Sequence, residues 1–153
     1  MNLLGFYPEL LDRARAIDGV RGVTDIAGPS NYGASVAPSD RWLFVSVESI
    51  VPTDAAANGR MTKQTVTVRV DLAWQREATN ARPGSMTNAG EILAAVKMAF
   101  SGWQPKAKAG ACFFAPFVER AAGAVYEAGA PNSGFTIYPM AFETSVMLDR
   151  EAQ

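Results

Sequence analysis

Histidine is absent from this 153-residue chain, and cysteine occurs once, at Cys112. The first absence removes the commonest general base, so neither a Ser-His-Asp nor a Cys-His centre can be assembled within one subunit. The second excludes an internal disulfide, and together they leave a structural zinc site without ligands. Cys112 lies in the apolar run Ala111-Cys112-Phe113-Phe114, the setting of a small buried hydrophobe. Nothing in it points to an oxidising compartment. An excess of one charge is also missing: 14 Lys and Arg face 15 Asp and Glu, for a net charge of −1. A subunit that grips a phosphate backbone alone carries a basic surplus, so direct nucleic-acid binding is disfavoured. No apolar run approaches the roughly 20 residues that span a bilayer. The apolar opening, residues 1–6, has no basic leader and runs into Pro8 and Glu9, so neither a membrane span nor a signal peptide is expected. The cell interior is the expected place of synthesis.

The familiar chemical motifs are missing too. There is no G-x-x-x-x-G-K-[ST] and no G-x-G-x-x-G. Gly28-Pro29-Ser30-Asn31-Tyr32-Gly33 misses the spacing of a nucleophile elbow by one residue, and it does not sit between a strand and a helix. The carboxylates Asp12, Asp18, Asp25, Asp40, Glu48, Asp54, Asp71, Glu77 and Glu91 are scattered rather than clustered for calcium or magnesium. Trp74 and Trp103 fall on apolar faces, which favours core packing over a stacking platform for single strands. Lys106 and Lys108 read as a solvated connection. These observations assign no catalytic, cofactor-binding or metal-ligating residue, and enzymatic activity is not expected.

What the chain does hold is a 48 % apolar fraction against 19 % charged, enough to build one domain. Residues 8–17 have Pro8 and Glu9 at the start, Leu10, Ala14 and Ile17 as a stripe, and Gly19 as a stop, which predicts a helix. Residues 20–39 are broken by glycine and proline, leaving room for a short strand or helical turn. Residues 41–51 predict a strand with Leu43, Val45, Val47 and Val51 on one face, ended by Pro52. Residues 63–76 alternate strictly, with Val66, Val68, Val70, Leu72 and Trp74 inward. The two strands make an antiparallel hairpin with a long tip, residues 52–62, that contains Asn58-Gly59. Residues 86–101 predict a second helix, with Gly102 and Pro105 ending it. Strand signals follow at Val118, at residues 124–126 and along residues 135–148, where Pro139 argues for an edge or a bulge. The expected fold is α+β: a mainly antiparallel four-stranded sheet with two helices on one face, in helix-hairpin-helix-hairpin order, as one domain over residues 1–153.

Two regions resemble the phage tail terminator family. The first is Leu3-Leu4-Gly5-Phe6-Tyr7-Pro8 running through Ala16-Ile17-Asp18-Gly19-Val20-Arg21-Gly22-Val23. The second is a strand such as residues 66–74, then a helix ending in Phe100-Ser101-Gly102-Trp103-Gln104-Pro105, then a closing aromatic strand at residues 135–148. The stretch 113–122 departs from the Gly-rich pattern of that family. The resemblance implies a structural virion protein without cofactor. It would form a homohexameric ring on the head-proximal end of the tail, assembled in the bacterial host cytoplasm, with the tail tube protein and the head-tail connector as partners. DNA would pass through the lumen without specific binding, and no membrane is involved. Within that expectation the hairpin tip, Asn58, Gly59, Arg60, Met61, Thr62 and Lys63, is the candidate contact with a neighbouring subunit or the tube, because long loops in small domains are often functional. The alternatives are a head-tail completion or minor tail protein, or a small oligomeric binding or regulatory domain.

Overall fold

The computed structural model describes residues 2–25, 40–56, 59–75, 85–110, 112–128 and 134–149. Among these residues ten elements follow in order: α1 (Tyr7–Arg15), β1 (Gly22–Thr24), β2 (Trp42–Ala56), β3 (Met61–Gln75), α2 (Ser85–Phe100), β4 (Lys108–Ala109), β5 (Cys112–Phe113), β6 (Val118–Arg120), β7 (Tyr126–Ala128) and β8 (Phe135–Asp149). The expected four-stranded sheet is corrected. Among the described residues the structure is mostly β, and its main sheet is mixed and six-stranded. The order is β1-β2-β3-β8-β6, with β7 also on the outer edge of β8. β1 runs parallel to β2, and all other pairs in this sheet are antiparallel. β4 and β5 form a separate two-stranded ribbon. The strands that enlarge the sheet are short, three residues each in β1, β6 and β7. The sequence carries strand signals at Val118 and at residues 124–126, but a segment of three residues has too few alternations to show its bounds or its place in the sheet.

The three long strands are 15 residues each, and β3 pairs along its whole length with β8. β3 follows its alternation closely: Val66, Val68, Val70, Leu72 and Trp74 are buried on the inner face. β2 does not stop at Pro52. A proline lacks the N–H that a ladder needs, but Pro52 lies on an outer edge beside a bulge between Pro52 and Asp54, where no donor is missed. A second bulge between Val47 and Ser49 leaves Glu48 unmatched and shifts the alternation. Val51 therefore turns to the outer face opposite Thr65, not inward with Leu43 and Val45 as expected. Pro139 is also accommodated without a break: the β3–β8 register runs through it unshifted. It falls between the stretch of β8 paired with β7, which ends at Ile137, and the stretch paired with β6, which begins at Ala141.

Both helices contribute to the inner face. Phe6, Leu10 and Ala14 from α1 and its entry pack in one cluster with Ala89, Ile92, Val96 and Phe100 of α2 and the inward residues of β2, β3 and β8. Phe6 lies edge-on to Phe114 and Phe117 at 5.0 and 5.4 Å, and Phe100 meets Phe142 at 5.4 Å. Each such fully buried phenylalanine contributes about 1.5–3 kcal/mol by removal from water. The Gly102-Trp103-Gln104-Pro105 turn ties α2 to the chain that leads into β6. Gly102 takes a φ of +79°, a conformation glycine tolerates, and its N–H donates to the Phe117 carbonyl at 2.8 Å. Trp103 then stacks on Phe117 at 5.4 Å, with the Arg13 guanidinium over its ring. The Glu9 carboxylate, at the first turn of α1, accepts from the Lys106 and Ala107 N–H groups at 3.0 and 2.7 Å, fixing the start of the β4–β5 ribbon.

Candidate assembly surface at the distal end of the sheet

Past the level of Val66 the long strands β2, β3 and β8 continue together to Ala56, Met61 and Asp149, with Phe114 and Ala115 still bonded to the outer side of β8 at Val146 and Ser145. The end of these strands is the place where the candidate tip residues fall. Its loop is shorter than expected because the strands run on: Met61, Thr62 and Lys63 belong to β3, and the connection is only residues 57–60. Gly59 and Arg60 are in the turn, with Gly59 at φ +81°, while Asn58 lies outside the described residues. The tip is tied down. Arg60 donates through Nε and a terminal nitrogen to both carboxylate oxygens of Asp149, at 3.1 and 3.3 Å. The two-point geometry fixes the turn to the end of β8, although an exposed pair of this kind contributes little to stability. Thr53 and Thr65 hydroxyls meet across the strands at 3.1 Å, and the Ala55 N–H donates to the Asp54 carboxylate at 2.8 Å.

Apolar side chains stand in water on both margins of this region. On β2, Ile50 is 41 % and Val51 47 % exposed. Across the sheet, Phe113 on β5 is 56 % and Val118 on β6 48 % exposed. Among the described residues β2 has a partner on its outer side only as far as Phe44, where β1 ends. The sequence singles out the turn as the candidate contact and does not single out these margins. The signal for Val51 was hidden by the bulge at Glu48, and Phe113 reads as core in an apolar run until β5 turns it outward.

A second polar feature lies on the outer face nearer the sheet's middle. Asp71 is 1 % exposed, and Arg69 Nε sits at 3.0 and 3.1 Å from its two oxygens. Burial raises the Asp71 carboxyl above the ordinary carboxylate range, a desolvation that outweighs the opposing pull of Arg69. Burial, with the Asp71 charge added, likewise raises the Tyr126 phenol. Glu48 approaches Arg69 at 3.8 Å, so a single guanidinium serves two carboxylates. Two shallow clefts open instead on the helical side. One, about 380 Å³, lies between the end of α1 and α2, lined by Arg13, Ile17, Ala95 and Met98. The other, about 340 Å³, is lined by Asp18, Arg41, Trp74, Asn88, Glu91 and Ile92. Arg41 takes a φ of +60°, and its guanidinium covers the Trp74 ring at 5.1 Å. The Asp71 carboxyl lies on the face of the sheet opposite these two clefts. Among the described residues no three His, Cys, Asp or Glu side chains gather as a metal site. No helix among them is long and apolar enough to cross a membrane.

No family model matches the chain, and no curated protein matches it.

Proposed function

We propose that the chain is a non-enzymatic assembly subunit that packs against copies of itself, and that its role is that of a phage tail terminator. In this reading a ring of subunits caps the head-proximal end of the tail tube, ends tube polymerisation and presents a surface to the head connector. The virion is its destination and the bacterial cytoplasm its place of assembly. The observation that carries the proposal is the set of long strands β2, β3 and β8, which run on past the level of Val66, with exposed Ile50 and Val51 on the β2 margin and exposed Phe113 and Val118 on the short strands that flank β8. Ile50 and Val51 at one margin and Phe113 and Val118 at the other stand as two separate patches, the arrangement by which a subunit meets one neighbour on each side. The anchoring of the tip by Arg60 and Asp149 supports the same reading, since a fixed projection is ordered before it meets its partner. The near-neutral charge agrees with a lumen that lets DNA pass without holding it.

The test is negative-stain microscopy of particles made with the gene disrupted. Overlong tubes, or tails unable to join filled heads, are the expected result. Normal tails on filled heads would refute the terminator role and bring forward a small oligomeric binding domain, the reading that the cleft beside Trp74 favours.

A further inference from the structure

The register of the sheet places its two apolar margins at the same height. The row through Val51 passes Thr65 and Ser145 and reaches the opposite margin at Ala115, whose N–H donates to the Ser145 carbonyl at 2.8 Å. Two residues along β8 in one direction the row Ser49–Thr67–Glu143 ends at Val118. In the other direction Phe114 bridges Val146, so Phe113 stands beside the level of Met147, Lys63 and Asp54. Val51 is therefore level with the gap between Phe113 and Val118. The charges follow the same order. Asp54 is exposed on the β2 margin, and Lys108, exposed, holds its ammonium 4.6 Å from the Phe113 ring centre on the other.

We infer that the β2 margin of one copy of this chain packs head to tail on the β5–β6 margin of the next, with Val51 seated between Phe113 and Val118 and Asp54 facing Lys108. The inference deepens the assembly reading above and rests on it. The two margins differ, so the contact is heterologous, and it repeats from copy to copy instead of ending at a pair. Equal height lets copies be related by rotation about an axis along the strands without a rise, the condition for a ring to close and not grow as a helical filament. The contact is made by side chains and does not continue the sheet. Pro52 has no N–H to offer, and the bulges flanking Glu48 and Thr53 break the ladder, devices that keep an open edge from pairing indiscriminately. Met98 and Val125, also exposed, lie outside this contact: one is on α2, the other precedes β7, which pairs near the opposite end of β8.

Cysteine cross-linking of the full chain tests it. In a Cys112→Ala background, Val51→Cys and Val118→Cys are made singly and together, and the concentrated protein is treated with a short bismaleimide. The double variant is expected to give a ladder of dimers, trimers and higher species on a denaturing gel, and each single variant only monomer. Dimers from Val51→Cys alone would mean a symmetric contact and overturn the inference, as would monomer alone from the double variant. Val51, Val118, Asp54 and Lys108 are exposed, and half-buried Cys112 loses only its sulfur atom on replacement by alanine, so folding is retained. The pair Asp54→Cys and Lys108→Cys reads the same contact at a second height and must give the same ladder. A ladder combined with normal tails in the disrupted strain would retain the contact and refute the terminator role. Abnormal tails without a ladder would do the reverse.

Discussion

One methyl group added at Gly22 measures how tightly β1 closes the end of β2. The two residues are register partners in the parallel pair, and the Trp42 indole lies across the glycine. A Cβ on residue 22 would stand 2.4 Å from Trp42 Cε2 and 2.6 Å from Cζ2. Carbon atoms pack at about 3.5–4.0 Å, so the ring must retreat by about 1 Å. It has little room, because Trp42 packs on the outer-face cluster of Phe44, Ala73 and Ile137. Gly22 itself is not at positive φ, so the backbone permits alanine and the cost is steric alone. Overpacking of this kind costs about 1–3 kcal/mol. For a chain of this size that lowers the melting temperature by roughly 2–4 °C per kcal/mol. The assay is a double-mutant cycle by urea denaturation. Gly22→Ala is expected to cost that amount in the wild-type background. In a Trp42→Ala background it should cost nothing, or gain several tenths of a kcal/mol from the stiffer unfolded chain. An equal loss in both backgrounds would show that the indole is not what excludes the methyl, and would refute the reasoning.

Phe142→Ala, which empties a site 1 % exposed between β3, β8 and Phe100, is expected to destabilise by about 3–5 kcal/mol in chemical denaturation. Asp71 should contribute to stability with an acid sign. Its carboxyl is raised in the folded state, so its favourable contribution is fully present below the unfolded value of about 3.8 and is lost as pH rises through the folded value. Stability of the wild type relative to Asp71→Asn is therefore expected to increase as pH falls toward 4, and a decrease would contradict burial as the dominant influence. Arg60→Ala removes an exposed pair and should shift stability by no more than about 1 kcal/mol. Its amide exchange at the β3 start and the β8 end should nevertheless quicken, since the tie between them is gone.

The strict alternation of residues 66–74 determined by itself that β3 is a strand with one face in the core, because a period of two allows no other placement of five large apolar residues. The apolar stripes and stop signals likewise marked α1 and α2, with Gly102 at a left-handed turn. The lack of histidine excluded Ser-His-Asp and Cys-His centres within this chain through composition alone, whatever the fold. The tip residues were legible as a turn from Asn58-Gly59, but their extent was not: a strand end in water carries little apolar pattern, so residues 52–56 and 61–62 read as loop. Tertiary structure alone decided the rest. Strand signals at Val118 and at residues 124–126 marked the neighbourhoods of β6 and β7, but the bounds of these short strands and their places in the sheet came from the open backbone groups of β8, as those of β1 came from β2. The bulge at Glu48 cannot be read from composition, yet it reverses the facing of Val51. Phe113 and Phe114 are adjacent and chemically identical. Which of them enters the core and which faces solvent depends on the bridge from Phe114 to Val146, a contact between segments more than 30 positions apart, where local sequence has no say.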